Sequence, residues 1–117
     1  NDVAGGKSAE TVLRDYQVLV ETAWSAFPQT PIVYLPIKPS PNRWNLWPVM
    51  AQANALIREF CEQHDLLLYA DTATPMLKTG EPPADDLFLE DRLHLSEKGY
   101  ELWRQVVEPI IFQAQQK

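Results

Sequence analysis

Apolar residues recur at steps of three and four from the start of the chain. Val12, Tyr16, Leu19, Val20, Ala23 and Phe27 fall on one face, and Arg14, Asp15, Gln17 and Glu21 on the other. That period predicts a helix over about Ala9 to Ala26. Ser8 supplies an N-cap, Glu10 suits the positive helix end, and Pro28 stops the helix. A second helical pattern runs from Trp47 or Pro48 to His64, with Met50, Ala53, Ile57, Phe60 and Cys61 on its apolar face. Asn54 shares that face and reads as a buried amide with satisfied hydrogen bonds. Leu102, Trp103, Val106, Val107, Ile110 and Ile111 mark a last helix after Ser96, with Pro109 expected to kink or break it near its end.

Two apolar runs, Pro31 to Leu35 and Leu66 to Ala70, lack polar alternation. Such runs suit parallel strands buried on both faces. Pro36 ends the first. Asp71 closes the second, where a turn or cap role is the commoner one. Residues 1–7, 38–48 and 78–86 read as loops rich in Gly or Pro. Leu87, Phe88 and Leu89 anchor the chain after the last of these. The order helix, strand, helix, strand, helix is the α/β pattern, with a parallel sheet and helical crossovers. Two strands make a poor sheet, because their flanks expose ladder groups and apolar side chains.

At 117 residues the chain is one domain at most. Its net charge of −6 argues against nucleic acid or an anionic membrane as partner. The single Cys61 excludes an internal disulfide and reads as a buried structural thiol. No apolar run approaches the ~18 residues of a membrane helix, and no signal peptide is visible.

The chemistry centres on Asp91 and His94. An acid three residues before a histidine can sit beside it within one tight turn. A neutral imidazole can take the proton of a serine hydroxyl, while a carboxylate on its other nitrogen holds the tautomer and stabilises the imidazolium. The competing reading is a surface turn with an N-cap. His64, beside Asp65, reads as a helix-end residue, and no metal site or cofactor is expected. Lys38 and Arg43 fit either contacts to a substrate anion or ordinary solvated loop charges. Trp44 and Trp47 fit either the wall of a substrate pocket or a cap on the core.

The stretch from Asp91 to Trp103, with Asp-x-x-His-Leu and then Gly99-Tyr100, resembles the C-terminal catalytic block of the SGNH, or GDSL-type, lipases and esterases. Asn1-Asp2 is similar to the end of that family's Gly-x-Asn-Asp block. The stretches from Ile37 to Trp44 and from Ala73 to Leu77 look like segments of one bacterial branch. The resemblance covers nearly the whole chain, yet no Gly-Asp-Ser stretch occurs in it. The resemblance therefore implies the C-terminal part of an α/β/α sandwich around a parallel sheet, to which this chain gives two strands and three helices. A preceding N-terminal segment is expected to carry the nucleophilic serine.

The resemblance also assigns roles. His94 is the general base, Asp91 orients it, and the Asn1 amide donates to the oxyanion. The implied substrate is a small acyl ester or an acetylated sugar. The alternative is a binding or scaffold domain that keeps these residues without catalysis. None of Ser8, Ser25, Ser40 and Ser96 stands in a nucleophile's context. Without the missing serine the chain by itself is expected to be inactive.

Overall fold

The computed structural model describes residues 3–116. Helix α1 spans Ala9–Ala26, strand β1 Ile32–Tyr34, helix α2 Trp47–Glu62, strand β2 Leu67–Tyr69, helix α3 Ala73–Leu77 and helix α4 Glu97–Gln115. Short 3-10 turns at Trp44–Leu46 and Asp85–Leu87 precede α2 and the Asp91 region. Strands β1 and β2 pair in parallel, Ile32 opposite Leu67, Val33 opposite Leu68 and Tyr34 opposite Tyr69. This is the expected α/β arrangement.

Alternation along β1 sends its side chains to two layers. Ile32 and Tyr34 join the main core with α1 and α2, where Val12, Tyr16, Val20, Met50, Ala53, Ile57, Cys61 and Leu67 are buried. Val33 faces the other way, onto a groove walled by Ile111 and Ala114 of α4. Helices α1 and α2 thus cover one face of the sheet and α4 the other.

Capping sets the helix ends. The Ser8 hydroxyl accepts from the Thr11 amide, and Ser96 does the same for Gly99. Pro48 occupies the first turn of α2, where no donor is lost. Asp71 serves as a local cap: its carboxylate accepts from the Thr74 amide at 3.1 Å and the Thr74 hydroxyl at 2.6 Å. Asn54 is 5% exposed and hydrogen-bonded through both its oxygen and its nitrogen. Its carbonyl accepts from the Ile37 amide at 2.8 Å, and its amide donates to the Ile37 carbonyl at 2.9 Å.

Four expectations need correction. The chain has four α-helices among the described residues and not the expected three, the addition being the short α3, whose Ala73 and Met76 are buried. Helix α2 stops at Glu62, two residues early, because the Gln63 and His64 amides turn back to Phe60 and Cys61. Of the two outcomes expected at Pro109, a kink or a break, the break does not occur: helix α4 runs on to Gln115. The carbonyl four residues back belongs to exposed Gln105, where solvent can replace the lost donor. Finally, Leu19 and Phe27 are not buried with Val12, Tyr16 and Val20; they are 57% and 69% exposed. Leu19 instead walls a groove beside Tyr34, and Phe27 lies past the helix end.

Gly99 shows how closely α4 docks. A Cβ there would stand 2.2 Å from the Leu87 carbonyl oxygen and 2.9 Å from Leu95 Cδ2. The first turn of α4 rests directly on the backbone of Leu87. Gly99→Ala is expected to destabilise the complete domain by about 1–3 kcal/mol through overpacking against a backbone that cannot yield. A denaturant midpoint unchanged by Gly99→Ala would contradict this contact.

Candidate active site

The site begins with a hairpin-like loop. Phe88 and Leu95 form an antiparallel bridge. The Leu89 amide donates to the His94 carbonyl at 2.8 Å, and the Ser96 amide to the Leu87 carbonyl at 2.9 Å. Below the bridge, Leu87, Phe88 and Leu95 are buried with Met76, and Leu102 and Trp103 of α4 pack against them. This small second core fixes the base of the loop. Two ion pairs flank it: Lys98 to Asp86 at 2.5 Å and Arg92 to Asp85 at 3.2 Å.

Within the loop the chain reverses tightly. The Arg92 amide donates to the Leu89 carbonyl, and Arg92 takes a left-handed φ of 58°. A non-glycine residue in that region carries strain that surrounding bonds must offset. Asp91 supplies them. Its Oδ1 accepts from the Leu93 amide at 2.9 Å and the His94 amide at 3.0 Å. Its Oδ2 lies 2.5 Å from His94 Nδ1. One oxygen therefore shapes the turn and the other holds the ring, which is why the spacing of three works.

These bonds hold the Asp91 carboxyl down at about 2, from the usual 3.8. The His94 ring contributes most, then the Leu93 and His94 amides. Because the folded value lies below the ordinary one, the stabilisation is complete above pH ~3.8 and is lost as pH falls through about 2. An NMR titration of the Leu93 and His94 amides is expected to show its midpoint near 2. A midpoint at the ordinary carboxylate value would mean that the turn bonds do not form in solution. At neutral pH an ionised Asp91 needs the proton on Nδ1, which leaves the Nε2 lone pair for proton acceptance. The His94 side chain is 69% exposed and that of Asp91 45%.

A second loop clamps the turn from the side. The Asn42 backbone amide donates to the Arg92 carbonyl at 3.1 Å, and its side-chain amide donates to the Asp91 carbonyl at 3.1 Å. Sequence reasoning missed Asn42; its only signal was a doubly competent side chain between Pro41 and Arg43. Trp44 stacks on Trp47 at 6.2 Å, and Trp47 packs against the main core, which gives that ring a core-capping contact. Asn1 lies outside the described residues.

The other reactive groups have local duties. The Ser25 hydroxyl donates to the Glu21 carbonyl, Ser40 is buried and accepts from the Arg43 amide, and the Ser96 hydroxyl donates to the Asp86 carbonyl. Cys61 is buried 3.7 Å from the Tyr16 hydroxyl, and burial pushes both groups up, away from ionisation. His64 follows α2 with its ring against Trp24 and Phe60. Among the described residues no three His, Cys, Asp or Glu side chains cluster as metal ligands, and no helix is long and apolar enough to cross a membrane.

Comparison with known proteins gives two findings. The structure is similar to the esterase domain of the ZfL2-1 ORF1 protein from the zebrafish ZfL2-1 retrotransposon, with a TM-score of 0.77 at 22% identity. That match covers 97% of this chain and 64% of the other, so this chain spans less than two thirds of it. No curated protein sequence matches. The profile of the GDSL-like lipase/acylhydrolase family matches residues 1–102, which include Asp91, His94 and the Gly99-Tyr100 pair. The chain belongs to the GDSL-like lipase/acylhydrolase family.

Proposed function

We propose that this chain is the base-bearing part of a serine ester hydrolase acting on small acyl esters or acetylated sugars. The observation that carries the reading is the 2.5 Å contact between Asp91 and His94 Nδ1 on an exposed, clamped turn. Family membership and the likeness to an esterase domain support it. In this reading the serine is supplied from outside these 117 residues, in which no Gly-Asp-Ser stretch occurs. In that scheme His94 Nε2 takes the serine proton as the hydroxyl attacks the ester carbonyl. The Asn1 amide donates to the resulting oxyanion. His94 then protonates the leaving alkoxide; in the second half it takes a proton from the attacking water and returns it to the serine oxygen as the acyl group leaves as the acid.

Two features of the sheet support a further segment packing here. Among the described residues β1 pairs only with β2, so its other edge is open. A groove of about 360 Å³ beside Leu19 and Tyr34 and another of about 410 Å³ beside Val33 and Ile111 lie against the two faces of β1. A third strand laid on that edge would send alternate side chains into both.

The rival reading is a non-catalytic SGNH-like binding or scaffold domain. It draws on one observation: the hydroxyls of Ser8, Ser25, Ser40 and Ser96 are all engaged locally. Asp91→Asn separates the two. An asparagine amide can keep the backbone bonds, but its NH₂ would face Nδ1 and shift the ring proton to Nε2. In the complete protein, turnover of a p-nitrophenyl ester should then fall by roughly four powers of ten and remain measurable. A complete protein that hydrolyses no short-chain ester would favour the scaffold.

A further inference from the structure

The loop from Ile37 to Arg43 does more than clamp the turn. Asn54 holds both backbone groups of Ile37, at 2.8 and 2.9 Å. Pro39 and Ser40 on the other side are fully buried. Lys38 is therefore fixed at both flanks, and it is itself half-buried. Its ammonium makes no hydrogen bond or ion pair with any described residue. Its stem is covered by the fixed loop while its ammonium keeps the capacity to take a counter-charge.

Lys38 lies within electrostatic range of a second cation, Arg43, and of Asp91. Burial and Arg43 both push the Lys38 ammonium down, and Asp91 alone opposes them. Asp91 is already committed to His94 and the turn amides. An acidic chain of net charge −6 thus places two like charges beside the one turn that carries its base. The loop follows the carboxyl end of a parallel strand, where α/β sheets present their ligands.

We infer that Lys38, held rigidly beside the Asp91–His94 turn with Arg43 close by, is a specificity-determining residue that receives an anionic group of the substrate. The substrate class is an ester carrying a carboxylate or a phosphate a few bonds from the ester carbonyl. The inference rests on the esterase reading above. A substrate anion would give Lys38 a direct ion pair, which it does not make with any described residue, and the rigid loop means little ordering cost on binding.

The test compares two esters of similar size, p-nitrophenyl butyrate and p-nitrophenyl hydrogen succinate, on the complete protein. The ratio of their kcat/KM values should favour the anionic ester in the wild type and fall at least about tenfold in Lys38→Gln. Lys38→Arg should keep the preference. No anionic preference in the wild type, or a ratio in Lys38→Gln within threefold of wild type, overturns the inference while leaving the esterase intact. Loss of all turnover in the wild type would instead sink the esterase reading. A readout independent of turnover is the His94 imidazole NMR signal during titration with methyl phosphate or methyl hydrogen succinate. Saturable shifts in wild type that vanish in Lys38→Gln support the site, and the ligand acting at lower concentration identifies the anion. Absence of shifts with both ligands in the wild type overturns it, whether or not Lys38→Gln folds.

Discussion

In the complete protein, His94→Ala is expected to lower turnover of a short-chain acyl ester about a million-fold, to near background. The size follows from the step that is lost. A serine hydroxyl is a weak nucleophile until a base takes its proton during attack. Among the described residues, His94 alone has a ring nitrogen held by a carboxylate that can stabilise an imidazolium. His64, the other histidine, packs against Trp24 and Phe60. The fold should survive, because the ring is 69% exposed and the loop keeps its backbone bonds to Asp91 and Leu89. Circular dichroism and the denaturant midpoint should match wild type. Activity that survived His94→Ala would remove the proposed mechanism.

The second large effect is expected when residues 1–117 are produced by themselves. They should hydrolyse the same ester no faster than background, and should be marginally stable, oligomeric or prone to aggregate. The packing explains the second part. No large side chain of α4 is fully buried; among its residues only Gly99 is. Ile111 and Phe112 are 45% and 65% exposed, and Val18 and Leu19 of α1 are 55% and 57% exposed. The open edge of β1 offers backbone groups to any passing strand. The radius of gyration, 14.7 Å, exceeds the roughly 13.4 Å of a compact domain of this length. Size-exclusion chromatography with a thermal melt checks this. A monomer with one cooperative transition would show that the two strands and their helices suffice.

Local signals made much of the fold legible. Ser8 and Ser96 marked the starts of α1 and α4, and the three-and-four spacing of Met50, Ala53, Ile57 and Cys61 marked the buried face of α2. Asn54 on that face read correctly as a satisfied amide, since a buried polar group demands partners. Longer-range features stayed hidden. Whether Leu19 is covered depends on what flanks β1, not on the period of α1. Helix α3 is five residues long, too short for a periodic signal, and holds Pro75 within its first turns. At the site, the pairing of Asp91 with His94 was legible because a turn can be built locally. Asn42 was not, because its bonds cross 49 residues of sequence to Asp91. Lys38 carried no signal that separated it from a solvated loop charge until its flanks proved to be fixed.

The central claim is that His94 activates a serine lying outside these residues. Labelling the complete protein with a fluorophosphonate and locating the adduct by mass spectrometry tests it most directly. The account predicts one adduct, on a serine outside residues 1–117, that disappears in His94→Ala. An adduct on Ser8, Ser25, Ser40 or Ser96, or one that persists without His94, would contradict it.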